Sequence, residues 1–427
     1  MTALILAFAL LGHGWVWVGV VNGTHAVRMP RWLCDVLTLA EFLLGGTLPL
    51  LMAFEFWRLR LDPLAMAGWG ALSTPALTYL AICSPVGAYA LVAWARRRMR
   101  MDRTPEATRY ERRRPIELFA DPLQRKAVRS TAARSVRLPG NEILELDVVE
   151  RGVQVAQLPA ELAGLSILHF SDVHLAGKIQ RSYYENLVRV VNAEACDMIA
   201  LTGDLVDKPE CIDWLPKTLG QLRAKHGVYF ILGNHDYCRD HVRIRKTLVD
   251  CGLIDVGGAR RELTVRGRRI VVAGNERPWF RPLPDLAADS AHHRPDRPLR
   301  IVLTHSPDQF DWACGAGADL VLAGHTHAGQ IQLPWIGPVF SPCVSGVRYV
   351  EGVYSRGATV LHVTRGISAQ WPVRYLCRPE IARIELCAVG QSSEAIGATG
   401  DETVRSTPCA PAPCNGERPL VGARLPE

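Results

Sequence analysis

The amino-acid sequence predicts an α/β domain preceded by about three transmembrane helices. Three observations carry that expectation. Uncharged apolar stretches crowd the first 95 residues; further on, short apolar runs each end in a cluster of Asp, His or Asn; and helix-patterned segments separate the early runs. A chain of 427 residues has room for two or three domains. With 48% hydrophobic and 21% charged residues it is not a disordered polypeptide overall.

The membrane region is read first, over residues 1–95. Met1 to Val27 contains no Asp, Glu, Lys or Arg, and Arg28 and Arg31 close it. A second stretch, Trp32 to Trp57, is broken only by Asp35, Glu41 and Glu55. Pro63 to Ala95 carries no charge and runs into RRRMR. About 20 apolar residues span a bilayer core, so spans are expected near residues 3–24, 33–57 and 66–95. Pro75 and Pro85 allow a kink or a re-entrant turn in the third. A cleaved signal peptide is the alternative for the first stretch, but it lacks a basic leader and more hydrophobic segments follow. By the positive-inside rule the arginines after the third span would hold the rest of the chain in the cytoplasm; were residues 63–95 not to cross, or to cross twice, the sidedness would invert.

Residues 96–140 read as a basic juxtamembrane linker. Arg96 to Arg137 contains fourteen basic and five acidic side chains, a surplus of nine, while the whole chain carries only +7. The remainder therefore sums to about −2, so a uniformly basic nucleic-acid surface is excluded and no nucleic-acid partner is expected. The belt is either a solvated charge run or a contact for anionic lipid headgroups. Twelve scattered cysteines without a C-x-x-C pair argue against a thiolate zinc site and against a secreted disulfide scaffold.

Residues 141–387 read as one globular domain, and residues 388–427 as a Gly/Ser/Ala/Pro-rich disordered tail. ILELDVVERGVQV alternates as a half-buried strand pair does. LSILHFSDVH, DMIALTGD, GVYFILGNHD, LRIVLTHS and ADLVLAGHTH are apolar strands that each deliver polar residues at their carboxyl ends. Those residues are Asp172 and His174; Asp204 and Asp207; Asn234, His235 and Asp236; His305; and His325 with His327. Such a cluster would be repulsive and poorly solvated unless cations neutralised it. On an extended strand, Asp172 and His174 would point to one side and reach a single cation. Asp204 has two oxygens and can bridge two metals, and Asn234 offers a neutral amide oxygen. A mixed N/O donor set without thiolate suits Mn, Fe, Zn or Co.

These motifs, D-x-H, GDLVD, GNHD, the His of LTHSPD and GHTH, occur in the order of the calcineurin-like metallophosphoesterases, which the chain resembles over about residues 165–385. GHTHAGQI and RGISAQWPVR resemble the bacterial membrane-associated branch. The resemblance implies a four-layer αββα metallophosphoesterase sandwich and a multi-pass location in the bacterial inner membrane. It also implies two divalent metal ions. Asp172, His174 and His327 would hold one, Asp204 would bridge, and Asn234, His305 and His325 would hold the other. His235 would act on the leaving-group or a phosphoryl oxygen, with Asp207 orienting it.

There are departures. Lys208-Pro209 and Asp236 replace the Arg-Gly and Glu of relatives that act on phosphoproteins, and Ala328 replaces a glycine, which matters if the backbone needs positive φ. Asp236 is either a supporting turn residue or a participant. Asn275 or Glu276 would occupy an acidic position near the site. Arg365 and Arg374 either approach substrate phosphate or form surface salt bridges. His169 and His362 read as structural. Trp279, Phe280 and Trp335 line an acyl groove, touch the membrane or simply pack.

The expected function is a membrane-anchored dimetal phosphoesterase cleaving phosphodiester or pyrophosphate bonds with hydroxide generated at the metals. Membrane lipid is an expected partner, and lipid or lipid-linked nucleotide phosphoesters are expected substrates alongside soluble ones. The alternative is a catalytically degenerate, metal-binding signalling or scaffold protein. Lost ligands would be its signature, and all seven are present.

Overall fold

The computed structural model describes residues 2–63, 68–101, 107–119, 121–280, 282–286, 297–369 and 371–388. The tail expected to be disordered lies outside the described residues from 389 onward.

Three long apolar helices come first: α1 (Thr2–Ala26), α2 (Arg31–Arg58) and α3 (Thr74–Met101). Each is long and apolar enough to cross a membrane, over Ala3–Ala26, Trp32–Arg58 and Thr74–Arg96. The third helix starts later than the apolar stretch suggests. Gly68 at φ 89° and the 3-10 turn Trp69–Ala71 intervene, and Pro75 then sits in the first helical turn, where its missing N–H costs nothing. Pro85 is carried inside α3 without a re-entrant turn.

The stretch expected to be a linker contains ordered elements, a strand and a helix among them. β1 (Thr108–Ile116) pairs antiparallel with β2 (Leu146–Val155), and α4 (Pro122–Thr131) is capped by Asp121, whose side chain accepts from Leu123 N at 2.8 Å. β1 is an edge strand with arginines along it, so it shows no apolar alternation. Charge on an edge also discourages pairing with other chains. ILELDVVERGVQV contributes the single strand β2, buried on both faces, rather than a half-buried pair.

The remaining strands follow the apolar runs: β3 (Ser166–Phe170), β4 (Met198–Thr202), β5 (Val228–Ile231), β6 (Ile254–Asp255), β7 (Arg260–Val265), β8 (Arg268–Asn275), β9 (Leu299–Thr304) and β10 (Leu320–Ala323). The hairpin β11 (Gln332–Leu333) and β12 (Gly337–Pro338), then β13 (Gly352–Arg356), β14 (Thr359–Val363) and β15 (Glu380–Ala388), complete the order. One sheet runs β1-β2-β15-β3-β4-β5-β6 and the other β13-β14-β10-β9-β8-β7.

The central strands of both sheets are buried on both faces, which explains continuous apolar runs in place of alternation. In β8, Ile270 and Val272 face the other sheet while Val271 and Ala273 pack outward with Phe310 of α8 (Phe310–Gly315). In β3, Ile167 faces inward while Leu168 and Phe170 pack with α5 (Arg181–Ala193) and α7 (His241–Asp250). The layers are thus helix, sheet, sheet, helix: the four-layer αββα sandwich. β3, β4 and β5 are parallel, as are β8, β9 and β10, so each sheet sends parallel carboxyl ends to the site.

Between the sheets lies a buried polar network. Arg151 of β2 pairs with Glu380 and donates toward His362 Nε2 at 2.9 Å; His362 and His169 meet Nδ1 to Nδ1 at 2.8 Å, and His169 Nε2 meets Thr202 Oγ1 at 2.9 Å. Arg365 joins from the other side, to Glu380 at 2.6 Å and Asp147 at 3.1 Å. His169 and His362 are therefore structural, held neutral by burial.

Burial alone would raise the Glu380 pKa, but Arg151 and Arg365 outweigh it and hold the carboxyl well below its ordinary range. Glu380→Ala is expected to destabilise the domain by about 3–5 kcal/mol, because it strands buried arginines. In the native protein the stabilisation from Glu380 is present above the ordinary carboxylate pKa and is lost as pH falls toward the depressed folded value. Denaturant melts of both proteins from pH 7 down to pH 3 check this: the gap should be widest at neutral pH and narrow in acid.

Candidate metal centre

The site forms where the carboxyl ends of β3, β4 and β5 in one sheet meet those of β9 and β10 in the other. Its ligand candidates lie just beyond the strands, not on them. Asp172 (φ 56°), His174 (φ 48°), Asp204 (φ 54°), His325 (φ 69°) and His327 (φ 50°) all have left-handed backbone. Non-glycine residues there cost of order 1–3 kcal/mol each and persist only where the surroundings impose the geometry. This corrects the expectation that Asp172 and His174 share a face through strand alternation. They converge because the chain reverses hand twice after Phe170. The loops after β3 and β4 impose this on each other: Asp172 N donates to Gly203 O at 2.9 Å, His174 N to Asp204 O at 3.0 Å, and Asp207 N to Leu175 O at 3.1 Å.

Glycines make the close approach possible. A side chain on Gly233 would meet Asp204 Oδ1 at 2.2 Å and His305 Nε2 at 2.7 Å, and one on Gly324 would meet Asp172 Oδ2 at 2.6 Å. Ala328 has φ 51°, so the position that carries alanine in place of glycine does require positive φ, and its methyl adds strain of about 1 kcal/mol.

All nine expected site residues come together. Asp172 Oδ1 lies 3.5 Å from His327 Nε2 and 3.9 Å from His174 Nε2. His305 Nε2 lies 3.3 Å from Asp204 Oδ2 and 3.0 Å from Asn234 Oδ1, with His325 in the same cluster. Asp204 Oδ2 is also 3.8 Å from His174 Nε2, so one carboxylate stands between the two groups.

The donors fit divalent cations on independent grounds. Asp172 Oδ1 and His174 Nε2 are buried without a hydrogen-bond partner and face each other across the cluster. The other ring nitrogens are occupied: His174 Nδ1 by Asp207 Oδ1 at 3.1 Å, His305 Nδ1 by Thr202 O at 2.6 Å, His327 Nδ1 by Ser368 O at 3.1 Å and His325 Nε2 by Pro342 O at 2.8 Å. Each such bond fixes a tautomer and presents the second nitrogen's lone pair inward.

Electrostatics agree. Burial opposes charge on His174, yet Asp207, with Asp204 and Asp172, lifts its pKa to about 9. Burial likewise opposes charge on His305, and Asp204 lifts it to about 9. Burial, aided by neighbouring His305, drops His325 to about 3. Against burial, the surrounding imidazoles hold Asp204 and Asp207 far below the ordinary range. The buried carboxylates thus drive two imidazoles toward the charged form, and divalent cations would take that place with their ligands deprotonated.

His235 heads the short helix α6 (Asn234–Tyr237) beside this cluster. Asp207 Oδ1 holds its Nδ1 at 2.7 Å, and its ring is partly exposed at the mouth. Asp236 is buried and accepts from Leu205 N, Val206 N and Gly233 N at 2.9–3.1 Å, which makes it a clamp on the loop after β4. Its pKa rises to about 6 through burial and the nearby Asp204.

Other candidates are structural. Asn275 accepts from Arg277 N and donates to Gln309, while Glu276 accepts from Leu232 N at 2.6 Å and pairs with Arg245. Arg365 and Arg374 do not lie at the surface. Both are buried; Arg365 belongs to the Glu380 network, and Arg374 donates to His327 O, Arg365 O and Ser368 O, bracing the loop that bears His327. Trp279, for which an acyl groove, membrane contact and packing were all open, is a wall residue of the site. It is buried edge-on against His305 and His325, with ring centroids 5.4 and 5.2 Å away. Trp335, by contrast, is exposed.

Comparison with known proteins gives the family. A family model described as calcineurin-like phosphoesterase matches residues 165–329. The uncharacterized metallophosphoesterase YkuE of Bacillus subtilis is 30% identical over 248 residues, 55% of this chain and 84% of that protein. Phosphodiesterase YaeI of Escherichia coli is 28% identical over 230 residues, 52% of this chain and 83% of that protein. A transmembrane protein with metallophosphoesterase domain from Bos taurus is 29% identical over 265 residues, 55% of this chain and 56% of that protein. With the motif-bearing strands matched and most of a relative's length covered, the chain belongs to the calcineurin-like metallophosphoesterases, metal-dependent phosphoesterases.

Proposed function

We propose that the chain is a membrane-anchored dimetal phosphoesterase hydrolysing phosphodiester or pyrophosphate bonds of lipid or lipid-linked nucleotide substrates. The observation that carries the dimetal reading is the position of Asp204 Oδ2, 3.8 Å from His174 Nε2 and 3.3 Å from His305 Nε2. Asp172, His174 and His327 would hold one cation, Asn234, His305 and His325 the other, and Asp204 would serve both. When bound, two such cations supply Lewis-acid charge to a phosphoryl oxygen and acidify a water for in-line attack.

The protein's own groups do the rest. Asp207 keeps the Nδ1 proton of His235 in place and so aims Nε2 at the mouth, where it can pass a proton to the departing oxygen. Asp207 also anchors His174, so one carboxylate aligns a ligand and an acid together. Trp279 keeps water from the His305–His325 side.

The bilayer reading is supported by the way the helices meet the domain. Arg28, two residues past α1, donates to the Tyr237 hydroxyl from Nε at 3.0 Å and Nη2 at 2.6 Å. Tyr237 lies two residues from His235 and packs against Phe280. The mouth of the site therefore opens beside the end of an apolar helix, where the phosphate of a membrane-resident substrate lies within reach. The three helices cross the bacterial inner membrane in this reading. The arginines at the end of α3 keep the catalytic domain on the cytoplasmic side.

Asp204→Ala or Asn234→Ala is expected to remove at least about 1,000-fold of the metal-dependent hydrolysis of bis-p-nitrophenyl phosphate. Wild-type rates from either variant would refute the ligand assignment. His235→Ala is expected to lower kcat by about 100-fold, the usual scale for a lost general acid, with two metals per chain retained. Elemental analysis of that variant decides the point, since emptied sites would make His235 structural.

A further inference from the structure

A second concavity lies apart from the metal centre, where α1 and α3 meet the catalytic domain. It has a volume of about 1230 Å³, and none of the nine metal-centre residues lines it. Its helical walls are matching stripes. Trp15, Val18, Gly19 and Asn22 of α1, and Tyr89, Val92, Ala93 and Arg96 of α3, both follow the i, i+3, i+4, i+7 spacing of one helix face. Trp15 and Tyr89 meet edge to face, 6.3 Å apart. From Trp15 to Asn22 the stripe is about 10 Å long, which accommodates a run of acyl methylenes. The opposite wall comes from the start of β1, the β11–β12 hairpin and residues 344–356.

The domain end of this cavity is polar and has unmet hydrogen-bonding capacity. Asn22 is only 7% exposed, yet its Oδ1 has no partner; Ser345 Oγ and Arg109 Nη1, which also line the space, are buried and unpartnered too. Buried polar atoms left unmatched cost about 1–3 kcal/mol each, so three around one cavity point to a ligand that satisfies them. The charge there is positive. Among the described residues, Arg96, Arg109 and Arg348 form no ion pair, and the Arg348 guanidinium only overlies the Tyr349 ring at 5.0 Å. The lining acids are already engaged: Glu111 by Arg113 and Arg151, and Glu351 by Gln332 and Arg365.

We propose that this cavity binds one anionic phospholipid, its acyl chain along the α1 and α3 stripes and its phosphate against Arg96, Arg109 and Arg348. The inference rests on the reading that α1 and α3 cross a bilayer. It places a lipid site outside the catalytic pocket, so a lipid can be held there whatever phosphoester is hydrolysed.

The test uses the full chain purified in mild detergent and incubated with phosphatidylglycerol or phosphatidylcholine, with bound lipid read by native mass spectrometry. One phosphatidylglycerol per chain is expected, retained in preference to phosphatidylcholine. Gly19→Trp fills the cavity, since a side chain at Gly19 meets nothing within 4 Å, and should abolish retention. Arg348→Glu, at an exposed position, should weaken phosphatidylglycerol binding by about tenfold, as expected for one lost charge contact. Both variants should keep metal-dependent hydrolysis of bis-p-nitrophenyl phosphate, which shows that they fold. Equal retention of the two lipids, or phosphatidylglycerol undiminished by both variants, would overturn the proposal. Carbonate extraction of native membranes separates the two readings. A chain released without detergent overturns the membrane reading and this one together, whereas a chain that stays in the membrane and shows no lipid preference overturns this one alone.

Discussion

The left-handed backbone at Asp172, His174, Asp204, His325 and His327 is the constraint on which the domain's architecture turns. L-residues avoid that region, so each position must be compelled by its neighbours. Strand order supplies the compulsion. Parallel β3 and β4 bring their following loops side by side, and backbone bonds run between the loops at 2.9–3.1 Å. On the opposite sheet Thr326 pins the His325–His327 turn to Val350 O at 2.6 Å. Gly203, Gly233, Gly324 and Gly366 leave the space that lets carboxylates and imidazoles crowd into one volume.

That crowding is tolerable because each polar group has a second attachment behind it. His305 leans on the Thr202 carbonyl, whose own side chain meets His169, and His169 continues through His362 to Arg151 and Glu380. A line of buried polar contacts therefore runs from the metal centre to the space between the sheets. Arg374 does the same on the other side, tying His327 O to the Arg365 and Ser368 carbonyls. Buried networks of this kind favour one arrangement strongly, since any partial rearrangement strands a charge.

Among the described residues, hydrogen bonds tie the three long helices to this rigid frame at two places. Arg28 reaches Tyr237 beside the catalytic mouth, and Trp94 of α3 donates to Ile336 O at 3.2 Å on the β11–β12 hairpin. Between these contacts the α1 and α3 faces leave the basic-rimmed cavity. The helices thus bear on the domain near the mouth of the site and do not simply hang from it.

Much of this was legible from local pattern. Apolar runs of helix length marked the three long helices, and strands buried on both faces appeared as short apolar runs whose polar endings arrived in a recognisable order. Other features were hidden for physical reasons. β1 is an edge strand whose arginines carry no apolar rhythm, so it read as linker. Arg365 and Arg374 looked like surface or substrate groups because residue type is blind to burial, and only folding brings Glu380, Asp147 and three carbonyls around them. Trp279 had no periodic neighbours to reveal that its ring closes one wall of the site. Chain order alone thus settled which donor atoms were available and which strand would deliver each. Whether Asp172 and His174 converge, and through which backbone hand, was decided only by tertiary structure, because positive φ at a non-glycine residue is imposed by contacts from distant segments and leaves no trace in local composition.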